Sequence, residues 1–123
     1  MNFQKFNVQR LFDVDTSEFD YIGLDQAVDK YGENNQILVK GLYVNEKSQF
    51  GPAPLVATRE EYINLPQHQL EKVREMLANN ECIKAINRDE LAIRIESYYQ
   101  KRFGKTCYKA IWDNYDPSED EQP

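Results

Sequence analysis

The sequence predicts one mainly β domain, with short strands on either side of an amphipathic helix, a closing hairpin, a short helix in front and an acidic tail behind. Three observations carry this. The chain has 123 residues, the length of a single domain. Hydrophobic residues make up 41% and charged residues 29%, ordinary globular usage that excludes a disordered, collagenous or wholly coiled-coil chain. The spacing of apolar residues is helical in 24–31 and 70–77 and strictly alternating in 91–95, so helix and strand are both present.

The elements follow in order. Leu24, Ala27, Val28 and Tyr31 recur at helical spacing, with Asp25 in the first turn and Gly32 where a C-terminal cap belongs, which gives a short helix over 24–31. After the turn residues Glu33-Asn34-Asn35, the stretch Gln36 to Val44 reads as a strand interrupted by a bulge or bend at Gly41. Pro52 and Pro54 restrict any strand there to an edge of the sheet or to the stretch after them, 55–58, and a short strand follows through Tyr62, Ile63 and Leu65. Pro66 suits a first helical position. Leu70, Val73, Met76 and Leu77 form the apolar stripe of a helix that ends at Asn79-Asn80, with a further turn around Ile83 and Ile86. Leu91, Ile93 and Ile95 alternate with Ala92, Arg94 and Glu96, and with 106–112 they form a hairpin over 91–112. Strands, one helix and a closing hairpin are the element order of an OB-fold, a five-stranded Greek-key barrel with its helix between strands three and four. Residues 113–123 hold too little apolar surface to fold alone, so the reading is a domain over 1–112 and a flexible acidic tail over 113–123.

Much enzymology is excluded. His68, the sole histidine, lies at a solvated helix opening, where no second group orients it as a base. Neither GxGxxG nor GxxxxGK[ST] occurs, so no nucleotide cofactor is expected. Cys82 and Cys107 lack the spacing of a disulfide framework or a zinc site. Asp13 and Asp15 share one side of an extended segment and would be the only basis for a metal-dependent nuclease, but such pairs are common on solvated loops, so no metal is expected either. The longest apolar run, Ile37 to Val39, is far too short to span a membrane, and Met1 to Arg10 has no signal-peptide core, so the expected location is the cytoplasm.

Charge carries the functional signal. The net charge is −6, yet six acids and no base lie between 13 and 29, and five acids and no base lie from Asp113 onward. Residues 30–112 hold 13 bases and 10 acids, so the middle of this acidic chain is basic. The closing hairpin concentrates that excess: Arg94, Lys101, Arg102, Lys105 and Lys109 face only Glu96, with Tyr98, Tyr99, Phe103 and Tyr108 interleaved. Cations that follow phosphates and aromatic faces on which bases stack are the two requirements for binding single-stranded nucleic acid. Tyr99, Tyr108 and Trp112 are assigned to core packing. The contact set is Lys47, Phe50, Arg94, Tyr98, Lys101, Arg102, Phe103 and Lys105, with Lys47 and Phe50 on the connection after the first long strand.

The segment Ile37-Leu38-Val39-Lys40-Gly41-Leu42-Tyr43-Val44-Asn45-Glu46-Lys47-Ser48-Gln49-Phe50-Gly51, followed by Tyr62-Ile63-Asn64-Leu65-Pro66 and an amphipathic helix, resembles small single-stranded DNA-binding proteins of lactococcal and related Gram-positive bacteriophages. The likeness covers most of 37–112 and lies in element order and residue character. It implies an OB-fold that binds single-stranded DNA without strong sequence preference, forms a homodimer or homotetramer, and serves phage replication or recombination in the host cytoplasm. Asp116, Glu119, Asp120 and Glu121 resemble in composition the acidic tail with which bacterial single-stranded DNA-binding proteins dock partners. The chain ends without the terminal Phe of that tail, which leaves autoinhibition as its other role. The expectation is therefore a non-catalytic DNA-binding protein. Its alternative is an acidic interaction protein that binds or inhibits a host or phage enzyme, as a DNA mimic, through 13–29 and the tail.

Overall fold

The computed structural model describes residues 11–49 and 51–120, and arranges them as a mainly β fold with two sheets and no closed barrel. In chain order the elements are β1 (Tyr21–Ile22), α1 (Leu24–Tyr31), β2 (Ile37–Leu38), β3 (Gly41–Asn45), β4 (Ala53–Ala57), β5 (Tyr62–Asn64), a 3₁₀ turn (Gln67–Gln69), α2 (Leu70–Leu77), α3 (Asn80–Asn87), β6 (Leu91–Gln100), β7 (Lys105–Asn114) and a last turn α4 (Pro117–Asp120). One sheet has the order β1-β5-β4-β3, antiparallel except for the parallel β1–β5 pair. The other has the order β2-β6-β7 and is antiparallel throughout.

The expected strand over 36–44 divides between the two sheets. Val39 donates its N–H to Leu91 O beside β6, while the next residue, Lys40, donates to Ala57 O in β4. Successive backbone groups of an extended chain point to opposite sides, so one bent strand serves both sheets. Gly41 opens β3, where a Cβ would meet the Tyr43 ring at 2.9 Å, so the close approach of that ring explains the glycine.

Pro54 lies inside β4 and not before it. Leu65 N–H donates to Pro54 O, but proline has no N–H to return the second bond of that rung, and β5 ends one residue earlier at Asn64. Pro66 is the extended residue ahead of the 3₁₀ turn, and α2 starts at Leu70. The turn foreseen around Ile83 is a full helix. The Asn79 side chain caps it by accepting from the amides of Glu81 and Cys82.

Leu42, Val56 and Ile63 share one register line on the inner face of the first sheet, and Ile93 and Ile95 face them from the second; all five are almost fully buried. Val73 of α2 and Ile86 of α3 complete the same core. Helix α1 packs against β5 of one sheet and β6 and β7 of the other, and so ties together the ends of the sheets that lie away from the bend.

The boundary expected at 112 falls inside an element. Asp113 and Asn114 belong to β7, paired with Ala92 and Leu91. The chain then turns back: Tyr115 N–H donates to Glu90 O, and Gln36 and Asp116 exchange two bonds, Gln36 Nε2 to Asp116 O and Asp116 N–H to Gln36 Oε1. The expected flexible tail is thus anchored as far as α4, because its polar groups find partners on the folded body. Phe50, Glu121 and the side chain of Asp120, all part of the sequence-based site, lie outside the described residues.

Candidate nucleic-acid interface

The hairpin β6–β7 outruns its core. Ten residues of each strand are paired in register, from Leu91–Asn114 to Gln100–Lys105. Burial stops at Ile95 and Ala110, and the inward positions beyond them are Ser97, Tyr99, Thr106 and Tyr108. The last rungs therefore form a two-stranded arm exposed on both faces. Its turn is Lys101-Arg102-Phe103-Gly104, where Phe103 N–H donates to Gln100 O and Gly104 takes φ +59°, a left-handed conformation that glycine adopts without strain.

Lys101, Arg102 and Lys105 are exposed at the tip, and none forms an ion pair with a described residue. Phe103 stands among them, 60% exposed, with the Arg102 guanidinium 5.5 Å and the Lys105 ammonium 5.9 Å from its ring centre. Tyr98 is 41% exposed on the outer face, the face of Arg94 and Glu96. Tyr99, assigned to core packing as a large aromatic strand residue, is instead 64% exposed. Ser97 on its own strand and Thr106 opposite it are the sequence signal that the apolar face had already ended. Tyr108 and Trp112 do pack against the core, and Trp112 Nε1 donates to Gln69 Oε1.

Arg94 does not join the tip cations. Its Nε donates to Asp113 at 2.7 Å, its two terminal nitrogens grip Glu119 at 2.8 and 3.0 Å, and one of them also reaches Asn34 O at 2.8 Å. The carboxylates of Glu119 and Asp113 hold the guanidinium still more firmly in its charged form, and Arg94 in turn holds both carboxyls below their usual range. Its fork is therefore engaged by the C-terminal segment in this arrangement, which sets it apart from the tip cations. Lys109 pairs across the hairpin with Glu96 at 3.4 Å. Lys47 is exposed on the β3–β4 connection in the other sheet.

A second aromatic group was not foreseen. Tyr43, Tyr62 and Tyr21 lie on the face of the first sheet opposite Leu42 and Ile63, and a chain of edge contacts links Phe12 to Tyr43, Tyr43 to Tyr62 and Tyr62 to Phe19, each at 5.6 Å between ring centres. Tyr21 stacks on Tyr62 at 5.0 Å and 26°. The segment 11–19 covers much of this face and is fixed by Asn87, whose side chain accepts from Asp13 N–H and donates to Leu11 O. Tyr43 and Tyr62 were legible as strand residues and Tyr21 was not, and their gathering depends on the register of three strands.

Elsewhere the polar groups satisfy one another. Glu61, almost fully buried, is raised by burial but held below its usual pKa overall, because Lys30, Tyr31 and Thr58 all donate to its carboxylate. A cleft of about 540 Å³ beside it is lined by Lys30, Tyr31, Arg59, Glu60, Tyr115 and Glu119, but Lys30 already bridges Glu60 and Glu61, and Glu119 is held by Arg94. Among the described residues no group of three or more His, Cys, Asp or Glu is placed to hold a metal ion, and no helix is long and apolar enough to cross a membrane. Comparison with protein-family profiles, curated proteins and solved structures gives no match.

Proposed function

We propose that this protein binds single-stranded DNA without strong sequence preference, through the arm of the β6–β7 hairpin. The observation that carries this is the arm tip, where Lys101, Arg102 and Lys105 form no ion pair with a described residue and Arg102 and Lys105 flank the exposed ring of Phe103, with Tyr99 one rung and Tyr98 two rungs back from the last pair of the hairpin. Unstacked bases lie on such rings while the cations follow the phosphates. A duplex, whose bases are already stacked, offers the rings nothing. The chain performs no chemistry in this reading; it covers and organises exposed strands, as phage replication or recombination requires.

The architecture supports an OB-type reading of the fold. Counting β2–β3 as one bent strand, the order is three strands as an antiparallel meander, the helices, then a hairpin. Connections after the first strand and within the last hairpin are the loops with which OB-folds engage oligonucleotides, and here they hold Lys47 and the arm tip. The likeness of 37–112 to phage single-stranded DNA-binding proteins adds the same element order. Docked on Arg94, the C-terminal acids act as an internal substitute for phosphate, and their release adds one cation to the outer face that carries Tyr98.

Fluorescence polarisation with a labelled oligothymidine, at several salt concentrations and with and without magnesium, tests the proposal. Salt-sensitive binding without cleavage is expected. Absence of binding at low salt refutes it and favours the acidic interaction protein.

A further inference from the structure

Two clusters of charge without an ion pair among the described residues have opposite signs. Lys101, Arg102 and Lys105 stand at the arm tip, whereas Glu18 and Asp20 lie just before β1 and Asp25 and Asp29 stand on α1, each exposed and none in an ion pair with a described residue. Exposed large hydrophobic side chains accompany both patches: Tyr98, Tyr99 and Phe103 on the basic arm and Tyr21 at the acidic edge, whereas Leu11 is held beside α3 by Asn87. Exposed apolar surface rimmed by charge marks an interaction site, and two such patches of opposite sign on one chain are complementary to each other. Among the described residues β1 is also the outer strand of its sheet and pairs only with β5, and Tyr21 presents there a ring 55% exposed and already stacked on Tyr62.

We propose that the basic aromatic arm of one copy docks on the acidic aromatic β1 edge of a second copy. Arg102 suits the open face of Tyr21 as a cation on a ring, and Lys101 and Lys105 suit the carboxylates of Glu18 and Asp20. Arm against arm brings like charges together, and so does edge against edge. The contact is therefore head-to-tail, leaves a free arm at one end and a free edge at the other, and builds short chains or a closed ring. A net charge of −6 opposes association in general, so a stable contact needs patches of opposite sign such as these. The inference stands on the two patches and not on the DNA reading; if both hold, oligothymidine competes for the arm and disperses the assembly.

Sedimentation velocity of the full chain over a range of micromolar concentrations tests it. At low salt the weight-average mass rises with concentration to at least about twice that of the monomer, and at about 0.5 M salt it returns to the monomer, because exposed pairs are screened. Arm reversal, Lys101→Glu with Arg102→Glu and Lys105→Glu, and edge reversal, Glu18→Lys with Asp20→Lys, each give monomers. An equimolar mixture of the two reassociates, since every reversed patch then meets its opposite. Circular dichroism melting verifies that both are folded, and the neutral pair Glu18→Gln with Asp20→Asn serves if the edge reversal is not. A monomeric wild-type chain at low salt, assembly unchanged in both reversals, or folded reversed chains that stay apart when mixed overturns the proposal. The edge reversal keeps its oligothymidine binding, so failure of this contact and failure of the DNA reading give different results.

Discussion

Replacing Lys101, Arg102 and Lys105 together by Ala should flatten the salt dependence of oligothymidine binding, and the structure sets the size of the change. All three side chains are exposed at the tip and none is engaged by a described carboxylate, so each is free to displace one counterion from a phosphate. On a single strand each such contact contributes about 0.7 to the slope of log affinity against log salt, so losing three lowers the slope by about 2. Between about 50 and 200 mM salt, a slope change of 2 amounts to about a 20-fold difference in how far affinity falls. The variant is thus hurt most at low salt, and its curve approaches that of the parent as salt rises. Phe103 loses the cations at 5.5 and 5.9 Å, an exposed contact with little bearing on the fold, so the melting temperature should hold. Polarisation titrations of both proteins at four salt concentrations give the two slopes. An unchanged slope in a folded variant places the phosphate track elsewhere and refutes the assignment.

Three further outcomes are expected. Tyr99→Ala and Phe103→Ala should each weaken oligothymidine binding by about 1–3 kcal/mol if their rings carry bases, with thermal melts unchanged because both side chains are mostly exposed. Glu61 has a folded pKa below its unfolded value, so its contribution is complete above the ordinary glutamate range and is lost as pH falls below it; urea titrations from neutral to acid pH should show that loss, and Glu61→Gln should remove that part of the pH dependence. Truncation after Trp112 removes two paired residues of β7 and both carboxylates on Arg94, so the melting temperature should drop, and an unchanged melt would contradict the docking of 113–119.

Local pattern and distant pairing were not equally legible in the sequence. Helix α1 over 24–31 and the start of β6 at Leu91 were readable because their spacing is set within a few residues. The turn residues of the hairpin and the basic tip were readable for the same reason. What escaped depends on partners far along the chain. Tyr21–Ile22 is a strand only because Tyr62–Ile63 lies beside it, and two residues carry no period of their own. The open arrangement of the sheets follows from α1 lying between β5 and β7, a packing choice that no alternation records. Arg94 reads as a free cation until Asp113 and Glu119 are folded onto it, and the acidic stretch after Trp112 reads as unstructured until Gln36 and Glu90 supply its hydrogen bonds.

The bend at Val39–Lys40 has a consequence for the order in which the molecule assembles. The β3–β4–β5 meander and the β6–β7 hairpin each join strands that are neighbours in sequence, so each can form early by closing a short loop. Joining them requires Ile37 to find Ile93 and Val39 to find Leu91 across the whole helical region, the longest-range strand pairing among the described residues. That junction should therefore come late on the folding route. Because one continuous backbone then serves both sheets, neither can open for long without straining the other. The amides of Val39 and Lys40 should accordingly exchange with solvent only through global unfolding, among the slowest in the protein, whereas those of the arm beyond Ser97 exchange through local fraying.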